Sequence, residues 1–222
     1  MNKIHVYNSI MDSGIVAIIR ESRAEVAESM TAACLEGGIQ SIEVTFTVPK
    51  AEQLIEKLRG KQQHPAITIG AGTVLDAETA RIAILSGAQY IVSPAFDAET
   101  ARLCNRYQVP YMAGCMTIKE MIQAMEAGVD LIKLFPSNQF DPSFIRSVKG
   151  PLPQATLMPT GGIGLEQIEA WVRAGSAAIG AGSELTKSGR QGDYGTIAKL
   201  AAQFVNRVRE TREQMNGSGE AG

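Results

Sequence analysis

Eight short β-branched runs alternate with amphipathic helical segments, one hexapeptide recurs a single βα unit further on, and polar residues gather at one set of strand ends. Together these features predict an α/β chain folded as a (β/α)8 TIM barrel, with a short N-terminal helix over about 2–12. The runs are 15–20 (IVAIIR), 40–45 (QSIEVT), 67–70 (ITIG), 89–93 (QYIVS), 110–113 (PYMA), 130–135 (DLIKLF), 156–159 (TLMP) and 178–181 (AIGA). Strands that alternate with helices imply parallel βα units, and eight such units fit 222 residues. An open doubly wound sheet is the rival, but the GxGxxG that should follow its first strand is absent.

The helical segments show apolar spacing at i, i+3 and i+4 over Ala24–Leu35, Ala51–Leu58, Ala77–Leu85, Ala98–Tyr107, Ile118–Ala127 and Leu165–Ala174. DAETAR occurs at 76–81 and again at 97–102, each copy placing an aspartate to cap a helix and a glutamate in its first turn. A glycine closes several helices just before a strand (EGGIQSIEV, SGAQYIVS, EAGVDLIKL, RAGSAAIGA), a position suited to a left-handed cap. A single domain is expected over 1–216, with GSGEAG at 217–222 as a disordered tail.

Composition narrows the function classes. The net charge of −2 leaves no basic footprint for nucleic acid or an anionic membrane. No stretch approaches the roughly 20 apolar residues that span a bilayer, and MNKIHVYNSIMDSG lacks the apolar core of a signal peptide. A cytoplasmic protein is expected. Cys34, Cys104 and Cys115 have no CxxC spacing, and His5 and His64 have no ligand partner at helical spacing, so neither a disulfide framework nor a metal site is expected. Cys115 reads as a small buried filler, since no histidine accompanies it.

Barrels of this kind carry their active sites at the C-terminal ends of the strands. Those positions hold Arg20 after the first run, Glu43, Thr45 and Thr47 in and after the second, Gly72-Thr73 after the third and Ser93-Pro94 after the fourth. They continue with Gly114-Cys115, Lys133, Thr160-Gly161-Gly162 and Gly182-Ser183. Strand alternation puts Leu131, Lys133 and Phe135 on one face and Ile132 and Leu134 on the other. An inward Lys133 is enclosed by neighbouring strands, where desolvation favours the neutral, nucleophilic amine. Glu43, between Ile42 and Val44, is the carboxylate able to exchange protons with it. The competing reading is a lysine that snorkels or forms an ion pair, and Arg20 alone reads more readily as a salt-bridge residue than as a substrate ligand. Glycine loops after the last two runs, PTGGI (159–163) and AGSEL (181–185), stand where (β/α)8 enzymes bind phosphate. An amine, a carboxylate and a phosphate cradle point to carbon–carbon chemistry on a phosphorylated keto compound.

The stretches VAIIR (16–20), GGIQSIEVTFTVP (37–49), IGAGTVLD (69–76), IVSPAF (91–96), GCMT (114–117), IKLFP (132–136) and MPTGGI (158–163) resemble the class I 2-keto-3-deoxy-6-phosphogluconate (KDPG) aldolases, whose activities include 4-hydroxy-2-oxoglutarate aldolase. The resemblance runs through nearly the whole chain in order. It implies a Schiff base on Lys133 and proton transfer by Glu43, with no metal or other cofactor. It further implies that Arg20 and Thr73 hold the pyruvyl carboxylate and that Thr160 lies beside the reacting carbons. Phe135 and Pro94 would wall the pocket, Gly161, Gly162 and Ser183 would bind phosphate, and the assembly would be a homotrimer. The galactonate epimer and 4-hydroxy-2-oxoglutarate are alternative substrates, and a non-catalytic phosphate-metabolite sensor or scaffold is the alternative outside enzymes. Two positions depart from the pattern: Thr47 stands where some members carry a substrate-contacting arginine, and Ala113 where proline is usual before the glycine of GCMT.

Overall fold

The computed structural model describes residues 3–61 and 66–219. His64 and residues 220–222 of the expected tail lie outside them. Nine parallel strand segments form among the described residues: β1 (Ile15–Ile19), β2 (Ser41–Thr45), β3 (Thr68–Gly72), β4 (Ile91–Val92), β5 (Tyr111–Met112), β6 (Gly114–Cys115), β7 (Ile132–Leu134), β8 (Leu157–Pro159) and β9 (Ile179–Ala181). Six of them pair in the order β5-β4-β3-β2-β1-β9, and the other three in the order β6-β7-β8. The two sheets are joined along the chain at Ala113, and Thr160 bridges Gly180 on the other side. Ala177 N also donates to Leu157 O there, at 2.9 Å. The result is a curled, all-parallel α/β sheet.

Eight expected runs become nine segments because the fifth changes partner. Ser93 N donates to Met112 O at 3.1 Å, whereas Lys133 N donates to Ala113 O at 2.9 Å. The lower half of this run therefore serves β4 and the upper half β7. The third run also extends past Gly70, since Ala71 and Gly72 pair with Val44 and Thr45.

Helix α1 (Lys3–Ser13) precedes β1, and α2 (Ala24–Glu36), α3 (Ala51–Lys61), α4 (Ala77–Leu85), α5 (Ala98–Tyr107) and α6 (Ile118–Glu126) follow the first five runs. Then come α7 (Ser143–Lys149), α8 (Ile168–Arg173), the short α9 (Ser183–Thr186) and α10 (Tyr194–Gly219), which continues into the segment expected as a tail. Both DAETAR copies cap as expected: Thr79 N donates to Asp76 Oδ1 at 2.6 Å and Thr100 N to Asp97 Oδ1 at 2.7 Å. The glycines at the helix ends, Gly38, Gly87, Gly128 and Gly175, all have positive φ.

Strand alternation separates two cores. Ala17, Ile19, Ile42, Val44, Ile91, Ile132, Leu134 and Ile179 pack outward with the helices. Val16, Tyr90, Val92, Met112, Leu131, Met158 and Ala178 pack together on the other face, joined by Val6, Tyr7 and Ile10 of α1. The helix thus closes one end of this inner cluster, and the charged side chains of the strands belong to the opposite end.

Candidate active site

Lys133 and Glu43 both occupy inward positions, as alternation requires. In β7 the neighbours Ile132 and Leu134 belong to the outer core while Leu131 belongs to the inner one. The Lys133 ammonium lies 3.5 Å from Glu43 Oε1, with the two side chains 5% and 0% exposed. Neither Glu43 oxygen accepts a hydrogen bond among the described residues. Lys133 is thus the cation that balances this carboxylate, and the pair carries the cost of its own desolvation. Snorkelling is overturned: the aliphatic stem does not bring the head to water.

Sequence makes room for the pair in a specific way. The Glu43 carboxylate lies against Gly72, so close that a Cβ at position 72 would overlap it. Gly70 similarly accommodates the Tyr90 ring beneath. Burial, with Glu43 nearby, pushes the Tyr90 hydroxyl well above its ordinary range, so this residue forms a neutral floor. Lys133 Nζ also stands 5.0 Å from the centre of the Phe135 ring, within reach of a cation–π contact.

Above the pair opens a pocket of about 210 Å³, lined by Ile18, Arg20, Lys133, Phe135, Thr160, Gly161, Gly162, Gly182, Ser183, Thr186 and Arg190. Eight of the eleven sequence-derived residues therefore converge here, with Glu43 reached through Lys133. Thr73 joins through Arg20, whose Nη2 donates to Thr73 Oγ1 at 3.1 Å. Thr73 has φ of 55°, a left-handed conformation that costs a β-branched residue about 1–3 kcal/mol. Pro94 does not line this pocket; its carbonyl instead packs against Gly114 on the neighbouring strand.

The turn after β8 is built for backbone exposure. Gly161 and Gly162 have φ of 107° and 74°, conformations that favour glycine. Ser137 ties the turn down, its N donating to Thr160 O and its Oγ to Gly161 O, each at 2.8 Å. The N–H groups of Gly161 and Gly162 donate to no described residue. Two adjacent uncommitted donors suit an anion. Cys115 is 2% exposed and burial pushes its thiol up to about 12, in keeping with the filler reading. No helix among the described residues is long and apolar enough to cross a membrane, and no three His, Cys, Asp or Glu among them converge as a metal cluster.

Comparisons with known proteins identify the family. A family model described as KDPG and KHG aldolase matches residues 6–200. The chain belongs to this aldolase family. It is 33% identical over 197 residues to the 2-dehydro-3-deoxy-6-phosphogalactonate aldolase of Escherichia coli, covering 88% of this chain and 95% of that one. It is 29% identical over 208 residues to the 2-dehydro-3-deoxy-phosphogluconate aldolase of Treponema pallidum, covering 92% and 98%. A crystal structure of KDPG aldolase from Legionella pneumophila, with pyruvate captured as a covalent carbinolamine, superposes with a TM-score of 0.78 at 25% identity, covering 88% of this chain and 96% of that one. Like its relatives, this aldolase is a carbon–carbon lyase.

Sequence reasoning missed Ile18, Thr186 and Arg190 in the aldolase pocket. Ile18 was recoverable, since it pairs in register with Glu43. Arg190 lies in a 3-10 segment, Lys187–Gln191, with no strand or helix period to mark it. Its Nε is 3.7 Å from Glu21 Oε2. Desolvation pushes the Glu21 carboxyl up, but the N–H and hydroxyl of Ser22 together with Arg190 and Arg23 outweigh it and hold the group below the usual carboxylate range.

Proposed function

We propose that this aldolase cleaves KDPG to pyruvate and D-glyceraldehyde 3-phosphate through a Schiff base on Lys133. The observation that carries the reading is the buried Lys133–Glu43 pair at 3.5 Å beneath a pocket with uncommitted glycine N–H groups. Glu43 takes one ammonium proton, and the freed amine attacks the C2 carbonyl carbon. Glu43 returns the proton, water leaves, and the resulting iminium stands at C2. A base, in this reading Glu43, then takes the C4 hydroxyl proton. The C4 carbonyl forms, the C3–C4 bond breaks, and its electron pair moves into the iminium to give an enamine. Protonation at C3 and hydrolysis release pyruvate and the free lysine.

Arg20 and Thr73, already hydrogen-bonded to one another, are assigned to the substrate carboxylate. Phe135 forms the wall. Thr160 stands beside the reacting carbons, and Gly161, Gly162, Gly182 and Ser183 take the phosphate. Reduction with borohydride in the presence of pyruvate, followed by mass spectrometry, should place the adduct on Lys133; an unmodified Lys133 overturns the mechanism. The 33% identity to a phosphogalactonate aldolase favours the C4 epimer as a second reading. Comparing kcat/KM across KDPG, its galactonate epimer and 4-hydroxy-2-oxoglutarate decides between them. A pyruvate aldol assay without turnover would favour the sensor or scaffold instead.

The same reading includes a closed eight-stranded (β/α)8 barrel over 1–216, with β5 and β6 as one staggered strand and the Thr160–Gly180 bridge as the seam. It also includes a cytoplasmic homotrimer acting in the Entner–Doudoroff pathway. Leu75, Ile82 and Leu85, all exposed in or just before α4, are apolar surface that an assembly would cover. Light scattering at a monomer mass would overturn the trimer.

A further inference from the structure

The pocket above Lys133 shares a wall with a second cavity of about 410 Å³, lined by Arg20, Glu21, Ser22, Thr47 and Arg190. Only the two arginines line both spaces. Their situations differ. Arg20 is engaged with Thr73 at 3.1 Å. The Arg190 guanidinium makes no hydrogen bond among the described residues, and its one ionic neighbour among them is Glu21, through Nε at 3.7 Å. Its backbone is anchored instead, the Arg190 carbonyl accepting from Arg23 Nη2 at 3.3 Å.

We propose that Arg190 is the cation that engages the substrate phosphate and sets the preference for phosphorylated over unphosphorylated 2-keto acids. The inference rests on the retro-aldol reading above and adds to it a residue and a selectivity.

Charge matching leads to Arg190. The pocket presents three cations, Arg20, Lys133 and Arg190. Lys133 is balanced by Glu43 and is consumed as the nucleophile. Arg20 is assigned to the carboxylate at the pyruvyl end. The glycine turn offers only neutral N–H donors, and Ser183 only a hydroxyl, to a phosphate monoester carrying about −1.5 to −2. Arg190 is the remaining positive group, and it lies in the wall that also holds Ser183 and Thr186.

Its geometry suits the task. Glu21 approaches at Nε, which leaves the two terminal amino groups as a fork able to take two phosphate oxygens. Glu21 is buried, its side chain 6% exposed, and its other contacts come from the N–H and hydroxyl of Ser22, so at 3.7 Å the exposed Arg190 guanidinium is held only loosely and is free to turn toward a dianion. The side chain is 63% exposed, and its replacement leaves the core intact.

The experiment compares retro-aldol cleavage of KDPG with that of 2-keto-3-deoxygluconate, the same skeleton without phosphate, in wild type, Arg190→Met and Arg190→Lys. Arg190→Met should lower kcat/KM for KDPG by roughly 10- to 100-fold, mainly through KM. The ratio of the two kcat/KM values should fall by a similar factor. Arg190→Lys should recover part of the loss, since it restores the charge without the fork. An unchanged ratio in Arg190→Met, or an equal loss on both substrates, overturns the inference. A wild type that cleaves both substrates equally well overturns it too, while the lyase reading stands. A wild type that neither cleaves KDPG nor traps pyruvate on Lys133 overturns both.

Discussion

The two ends of the inward strand face make an instructive contrast. At the α1 end, Val6, Tyr7 and Ile10 meet Val16, Val92, Met112 and Leu131 in a close-packed apolar layer. At the other end the same strands present Arg20, Glu43, Lys133 and Thr160. The larger cavity, about 560 Å³, lies at the α1 end, lined by Lys3, Tyr7, Asp130 and their neighbours. Its charges are already paired, Lys3 to Asp130 at 3.1 Å, with Asp130 59% exposed. The smaller pocket holds the buried amine. In the proposed reading the chemistry is therefore marked not by cavity size but by a charge held out of water.

Lys133→Met should break the contrast most severely. Activity should fall at least about 10⁴-fold, and chemical denaturation should register a loss of about 3–5 kcal/mol because Glu43 is left without its cation. The double variant with Glu43→Gln should regain most of that stability and none of the turnover. At the closed end, Ile10→Ala should cost about 2–5 kcal/mol by the same assay. Because that site is remote, kcat/KM should change by less than about twofold where the protein stays folded.

Gly72→Ala tests the open end more finely. Its new Cβ displaces the Glu43 carboxylate, and kcat should drop by about 10²-fold, while far-UV circular dichroism stays unchanged. The smallest effect lies outside both ends, at the α4 cap. Asp76→Ala should cost about 1 kcal/mol at neutral pH. The Thr79 N–H and hydroxyl hold the Asp76 carboxyl below its ordinary value. The cap is therefore fully stabilising above the unfolded-state value and fades as pH falls through the lower folded value. The stability gap between variant and wild type should narrow over that acid range; a gap that stays constant refutes the assignment.

The same contrast explains what could be read from the sequence. Inward and outward positions follow from a period of two, which puts Lys133 and Glu43 on one face. Helix caps at Asp76 and Asp97 are local, and identical hexapeptides gave identical caps. The change of partner at Ala113 left no mark, because it depends on which neighbouring strand is in reach. Arg190 was invisible for a similar reason: the pocket receives it from an aperiodic segment whose course is set by contacts such as Arg23 to its carbonyl. Pro94 was expected in the pocket wall and sits to one side, since a strand end fixes height along the sheet but not the distance to a cavity.

The Lys133–Glu43 pair has a last consequence, for electroneutrality. Ammonium with carboxylate sums to zero, and so does amine with carboxylic acid, and so does iminium with carboxylate. In the proposed cycle the two side chains never present a net charge to the apolar layers beneath them. Tyr90, Met112 and Met158 need not reorient, and no water has to enter to solvate a transient ion. A nucleophile that began neutral and ended cationic without a carboxylate beside it would impose that cost at every turnover.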